Sequence, residues 1–160
     1  MADPRERVLF ICTGNYYRSR FAEAVFNHRA KALGLPFRAF SRGLAIHLID
    51  GDLSSYTQRA LEDRGIAREC TGPTRVALTE ADLVRAERVI ALKEDEHRPL
   101  MERHFPLWAD RIEYWHVHDL DQSEAEDALP QIERQVEALI EELRASGVAG
   151  GYGRGAGAGG

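Results

Sequence analysis

The sequence predicts an α/β domain in three layers: a four-stranded parallel sheet flanked by helices on both faces. Three observations carry this reading. Strand-like and helix-like segments alternate along the chain, the pattern that builds parallel sheets with crossover helices. Val8, Leu9, Phe10 and Ile11 form an unbroken apolar run, as in a strand covered on both faces. Near the other end, Leu129, Ile132, Val136, Leu139, Ile140 and Leu143 fall on one helical stripe.

In chain order, residues 7–12 form the first strand and run into the loop CTGNYYRS. Helix is predicted from Ser19 to Leu33, because Phe21, Ala22, Val25, Phe26, Arg29 and Leu33 fall near helical spacing and Gly34 follows as a stop. Residues 36–41 read as the second strand, and Ser54–Asp63 as a helix ending at Gly65. Thr79 and Asp82 have the spacing of a capping box and open another short helix. Val89–Leu92 is the third strand. Lys93–His104 is expected to be an irregular helix, disturbed by Pro99. Ile112–Val117 supplies the fourth strand. The last helix is read with Pro130 in its first turn and Gly147 beyond its end.

The chain has 160 residues, 44% hydrophobic and 29% charged, which excludes disordered and fibrous classes and suits one domain. Residues 147–160 hold eight of the 14 glycines and little apolar content. They are expected to form a flexible tail behind a folded unit at 1–146. No apolar run approaches the roughly 18 residues of a membrane span, and the start lacks a secretory core, so a cytoplasmic protein with no membrane partner is expected. A net charge of −5 argues against a nucleic-acid partner. The two cysteines, Cys12 and Cys70, allow no paired CxxC zinc site, so cysteine chemistry here is expected to be solitary.

The chemistry sits in the first loop. In an open α/β sheet ligands bind beyond the carboxyl ends of strands, and Cys12 ends the first one. A loop of this size before a helix can turn several backbone N–H groups inward, making an anion nest at the positive helix end. Gly14 and Asn15 are residue types that tolerate the left-handed conformation such a turn needs. The helix dipole, Arg18 and the Ser19 hydroxyl all favour the thiolate form of Cys12. Arg18 can fork two donors onto two oxygens of a phosphoryl group. Together they describe a nucleophile aimed at phosphorus. Thr13, Gly14, Asn15, Tyr16, Tyr17 and Ser19 complete the cradle, and an outward-facing tyrosine there would wall the pocket and stack on an aryl phosphate.

CTGNYYRS at residues 12–19 resembles the CxGNxxRS phosphate loop of the low-molecular-weight protein tyrosine phosphatases. FSRGL at 40–44, LEDRGI at 61–66 and LTEADLVRAERVIAL at 78–92 are similar to further segments of that family, at lower specificity. The resemblance implies a sheet in the order 2-1-3-4 and a hydrolase of phosphomonoesters, phosphotyrosine among them, that works through a phosphocysteine without a cofactor. It also assigns Asp119, after the fourth strand, as the general acid, with Asp121 as the reserve. The family pattern is departed from at four places. Tyr17 stands where many members have a second cysteine, and Arg20 where a proline is usual. His118-Asp119-Leu120-Asp121 replaces Asp-Pro-Tyr, and Leu92-Lys93 replaces Met-Asp.

Other readings stay open on the sequence. His116 and His118 share a strand face, but no third ligand completes a metal site. His47 is a further candidate pocket wall, while Trp108, Tyr114 and Trp115 read as packing. A module that binds phosphorylated partners without turnover fits the altered acid segment. Arsenate reduction on the same scaffold would need a thiol relay for which only Cys70 remains. The substrate is expected to be a phosphorylated protein or a small aryl phosphate, and the oligomeric state is open.

Overall fold

β1 (Glu6–Cys12) lies between β2 (Phe37–Gly43) and β3 (Arg88–Ala91), and β4 (Glu113–Tyr114) extends the sheet beyond β3. All three pairings are parallel and the order is 2-1-3-4, as the resemblance implied. This computed structural model describes residues 6–48, 51–116 and 125–153. Among the described residues five α-helices accompany the strands: α1 (Arg18–Ala32), α2 (Ser55–Asp63), α3 (Glu80–Arg85), α4 (Glu94–His104) and α5 (Ala125–Gly153).

Alternation along β1 divides the interior in two. Val8 and Phe10 join Phe21 and Phe26 of α1 with Ile132, Val136 and Ile140 of α5. Leu9 and Ile11 join Leu83 of α3 and Met101 of α4 on the opposite face. Helices therefore cover both faces, which is why the apolar run in β1 is continuous rather than alternating. Phe10 also meets the rings of Phe26 and Trp115, at centroid distances of 6.1 and 5.8 Å. Truncating a ring as buried as Phe26 to alanine would cost about 3–5 kcal/mol.

Local signals set the ends of several elements. The Ser54 hydroxyl accepts from the Tyr56 and Thr57 N–H groups and starts α2. Thr79 and Asp82 form the expected capping box of α3. Gly34 and Gly65, at φ of 68° and 67°, follow α1 and α2 in the left-handed conformation that ends a helix.

The structure departs from the sequence reading at the prolines and near the C-terminus. α4 is one continuous helix through Pro99: the ring removes a single intrahelical donor, and the turns on either side keep theirs. Pro130 lies beyond the first turn of α5, which already begins at Ala125. α5 also continues past Gly147 to Gly153: glycine lowers helix propensity by about 1 kcal/mol but, unlike proline, removes no hydrogen bond. Residues 154–160 of the expected tail lie outside the described residues. β4 is shorter than the strand read at 112–117, and Val117 is not described. Among the described residues no helix is long and apolar enough to cross a membrane.

Candidate active site

The loop from Thr13 to Tyr17 turns between the carboxyl end of β1 and the start of α1. Asn15 takes the left-handed conformation, at φ 50°. Cys12 is buried, with its sulfur 3.0 Å from Ser19 Oγ and 3.4 Å from the Ser19 N–H. Ser19 belongs to the first turn of α1, so its N–H reaches the sulfur from the positive end of the helix.

A buried polar network holds the loop from behind. Asn15 Nδ2 donates to Ser19 Oγ and Ser41 Oγ, both at 2.9 Å, while its Oδ1 accepts from the Val76 N–H. Ser41 Oγ donates to Glu23 Oε1 at 2.6 Å, and Thr71 Oγ1 donates to the same oxygen at 2.8 Å. Burial raises the Glu23 carboxyl above its usual range, against these hydrogen bonds and the charge of Arg20. Arg20 is wholly buried. It donates to Thr71 Oγ1, to the Asn15 and Asp52 carbonyls, and to the Gly72 carbonyl. Beside the network, a Cβ on Gly43 would stand 2.9 Å from the Asn15 backbone nitrogen and 2.7 Å from Ile46 Cγ2, so only glycine lets β2 pass this close to the loop. The FSRGL segment thus has a local purpose: Ser41 bonds the loop and Gly43 makes room for it.

Arg18 opens α1 and turns its guanidinium to the same cavity as Cys12. Its Nη2 lies 2.9 Å from Glu96 Oε2 and its Nη1 3.3 Å from Glu96 Oε1. Thr13 Oγ1 donates to Glu96 as well, and His97 Nε2 stands 3.5 Å from Glu96 Oε2. His97 Nδ1 accepts from the Lys93 N–H at 3.0 Å, which leaves the ring proton on Nε2, toward Glu96. His97 and then Arg18 hold the Glu96 carboxyl far below the ordinary range, against the effect of its burial. Burial holds His97 below its own usual value.

Tyr16, Tyr17, Leu48 and Tyr56 line this cavity together with Cys12, Gly14 and Arg18; Leu48 and Tyr56 are exposed and form its apolar mouth, while Cys12 is buried. Tyr17 packs against the core and also lines the cavity. The Ser54 N–H donates to the Tyr16 carbonyl, and Thr57 Oγ1 to the Tyr17 carbonyl, fixing α2 beside the loop. Tyr56 and Leu48 join the cavity without being singled out by the sequence; Tyr56 lies off the buried face of α2 formed by Thr57, Ala60 and Leu61, and Leu48 is 65% exposed. Glu96 carried no sequence signal, because three successive acids opening a helix read as dipole complements.

Asp119, Asp121 and His118 lie outside the described residues. His47 is exposed in the 3-10 turn Ile46–Leu48 and does not line the cavity. His116 is exposed beside Glu94, and among the described residues no His, Cys, Asp and Glu cluster could hold a metal. Cys70 is a free thiol in a separate cavity with Phe37. Phe37 pairs with Glu6 at the start of β1, whereas Cys12 pairs with Gly43 at its end, so the two thiols belong to opposite edges of the sheet.

A family model of the low molecular weight phosphotyrosine protein phosphatases matches residues 7–149. No curated protein matches the chain in sequence. Among solved structures, the low molecular weight protein tyrosine phosphatase of T. tengcongensis is 29% identical with a TM-score of 0.72, covering 86% of this chain and 99% of that one. YfkJ from Bacillus subtilis is 24% identical with a TM-score of 0.76, covering 89% and 96%. A mutant of the YwlE arginine phosphatase with a phosphorylated active site serine is 22% identical, with a TM-score of 0.71 over 86% and 95% of the two chains.

Proposed function

Because the chain belongs to the low molecular weight phosphotyrosine protein phosphatase family, we propose that it hydrolyses aryl phosphate monoesters, phosphotyrosine in proteins above all, through a phosphocysteine on Cys12. The observation that carries this reading is the seat of Cys12. Its sulfur ends a buried strand, faces the Ser19 N–H at a helix start, and shares its cavity with Arg18. Four apolar or aromatic side chains in the lining, Tyr16, Tyr17, Leu48 and Tyr56, favour an aryl over an alkyl phosphate.

In the first step the Cys12 thiolate attacks phosphorus. An S–P bond forms as the bond to the leaving oxygen breaks, and Asp119 gives that oxygen its proton. Arg18 and the N–H groups of the loop hold the charge on the equatorial oxygens; one such donor is typically worth about 10²–10³ in rate. In the second step the Asp119 carboxylate takes a proton from water, whose oxygen attacks phosphorus. The S–P bond breaks and releases inorganic phosphate with the thiolate restored. Asp119 is assigned by its match to the family's acid and by its position in the sequence shortly after β4.

The YwlE mutant carries its phosphate on an active site serine, which is in keeping with a phosphoenzyme at the equivalent position here. Arsenate reduction is disfavoured because Cys70, its one available relay thiol, belongs to the other edge of the sheet. The test is turnover of an aryl phosphate, blocked by vanadate and absent in Cys12→Ala. Tight phosphate binding without turnover would favour the non-catalytic module instead.

A further inference from the structure

We propose that Glu96 is a built-in counter-ion of Arg18 that sets how tightly the site holds an anion. Its carboxylate occupies the arginine fork, and an entering phosphoryl group must take that fork against a fixed negative charge. The inference rests on the reading that Arg18 receives the phosphoryl group.

The contact has the form of substrate recognition. Two carboxylate oxygens meet two guanidinium nitrogens at 2.9 and 3.3 Å, the parallel fork that arginine also offers to phosphate. Thr13, from the phosphate loop itself, gives Glu96 a third donor. Glu96 lines the same cavity as Cys12 and its side chain is 33% exposed, so its charge faces whatever enters. The neighbouring acid Glu94 turns elsewhere, to Arg98 and His116.

The support behind the carboxylate keeps it ionised. His97 is fully buried, its tautomer is fixed by the Lys93 N–H, and its Nε2 faces Glu96. With Arg18 and Thr13 this lowers the carboxyl below its ordinary range and favours its charged form. A phosphate dianion therefore meets one cation already paired and one anion beside it. The consequence is weak retention of simple anions, inorganic phosphate included. An aryl phosphate offsets the same penalty through contacts at the apolar mouth, which free phosphate lacks.

The experiment compares Glu96→Gln with the unaltered enzyme, reading inhibition by inorganic phosphate and by vanadate against an aryl phosphate substrate. Glu96→Ala is run in parallel, with thermal melting to establish that each variant is folded. The expected result is inhibition constants lowered about tenfold, equivalent to ~1.4 kcal/mol. Unchanged or weaker inhibition in the folded variants would overturn the proposal and leave Glu96 as a prop for Arg18. If the unaltered enzyme shows no turnover, the phosphatase mechanism fails on its own. Calorimetric titration of phosphate into the same proteins then decides the counter-ion question, with tighter binding in the variants supporting it and equal or weaker binding overturning it.

Discussion

The sulfur of Cys12 lies 3.0 Å from the hydroxyl oxygen of Ser19, and that hydroxyl is itself held at 2.9 Å by Asn15 Nδ2. With the amide of Asn15 as its donor, the Ser19 oxygen is free to turn its own proton toward a Cys12 thiolate. A hydrogen bond to a charged group contributes about 1.5–3 kcal/mol. Ser19→Ala is therefore expected to lower kcat for an aryl phosphate by roughly 10- to 100-fold. Steady-state kinetics check this, and wild-type turnover would separate Ser19 from the chemistry.

Arg20 stands where the family usually has proline, and its side chain ties the phosphate loop to the segments at Asp52 and Gly72. Replacing it by methionine removes the arginine donor from Thr71 Oγ1 and from the Asn15, Asp52 and Gly72 carbonyls, and takes away the positive charge that acts on Glu23. Breaking a buried charged contact from one side typically costs about 3–5 kcal/mol. Urea unfolding of Arg20→Met should register a loss on that scale. A loss under about 1 kcal/mol, within reach of an ordinary surface hydrogen bond, would contradict the clamp.

Stability should fall in acid before most carboxylates titrate. Burial lowers the His97 pKa in the folded chain, while unfolded histidine titrates near ~6.5. Above that value neither state binds the proton. As pH falls through it, the unfolded chain takes up a proton that the folded chain refuses, so stability is lost toward low pH. The slope for one such group approaches about 1.4 kcal/mol per pH unit. The Glu96 carboxyl, also lowered, adds its own loss only below the unfolded glutamate value of about 4.3. Denaturant unfolding between pH 7 and 5 should be flatter for His97→Asn than for the unaltered protein. Identical slopes would contradict the assignment.

Tyr56 borders the cavity mouth from the first turn of α2 while half its surface meets solvent. Tyr56→Ala should raise KM for an aryl phosphate several-fold, by about 0.5–1.5 kcal/mol of lost ring contact, and leave a small alkyl phosphate unaffected. An equal change for both substrates would place Tyr56 outside the substrate's reach.

The parts of this architecture legible in sequence were those set locally. The run Val8–Ile11 announced a strand covered on both faces, and Thr79 with Asp82 announced a capped helix. Cys12, Asn15, Arg18 and Ser19 lie within one loop and the helix turn that follows, so their spacing alone brings them together. Glu96 does not share that advantage. It reaches Arg18 from another helix, far along the chain, through a packing that no local pattern encodes. Proline was over-weighted, since α4 and α5 both pass through one without breaking. β4 was over-read because Ile112–Val117 carries strand composition, while the sheet uses it only at Glu113 and Tyr114.

Trapping the phosphoenzyme tests the central claim most directly. The enzyme is mixed with an aryl phosphate, quenched within one turnover, and the phosphorylated residue located by mass spectrometry. The account predicts phosphorus on Cys12, a longer-lived intermediate in Asp119→Asn, and neither intermediate nor turnover in Cys12→Ala. Turnover that persists in Cys12→Ala, or phosphate found on another residue, would contradict it.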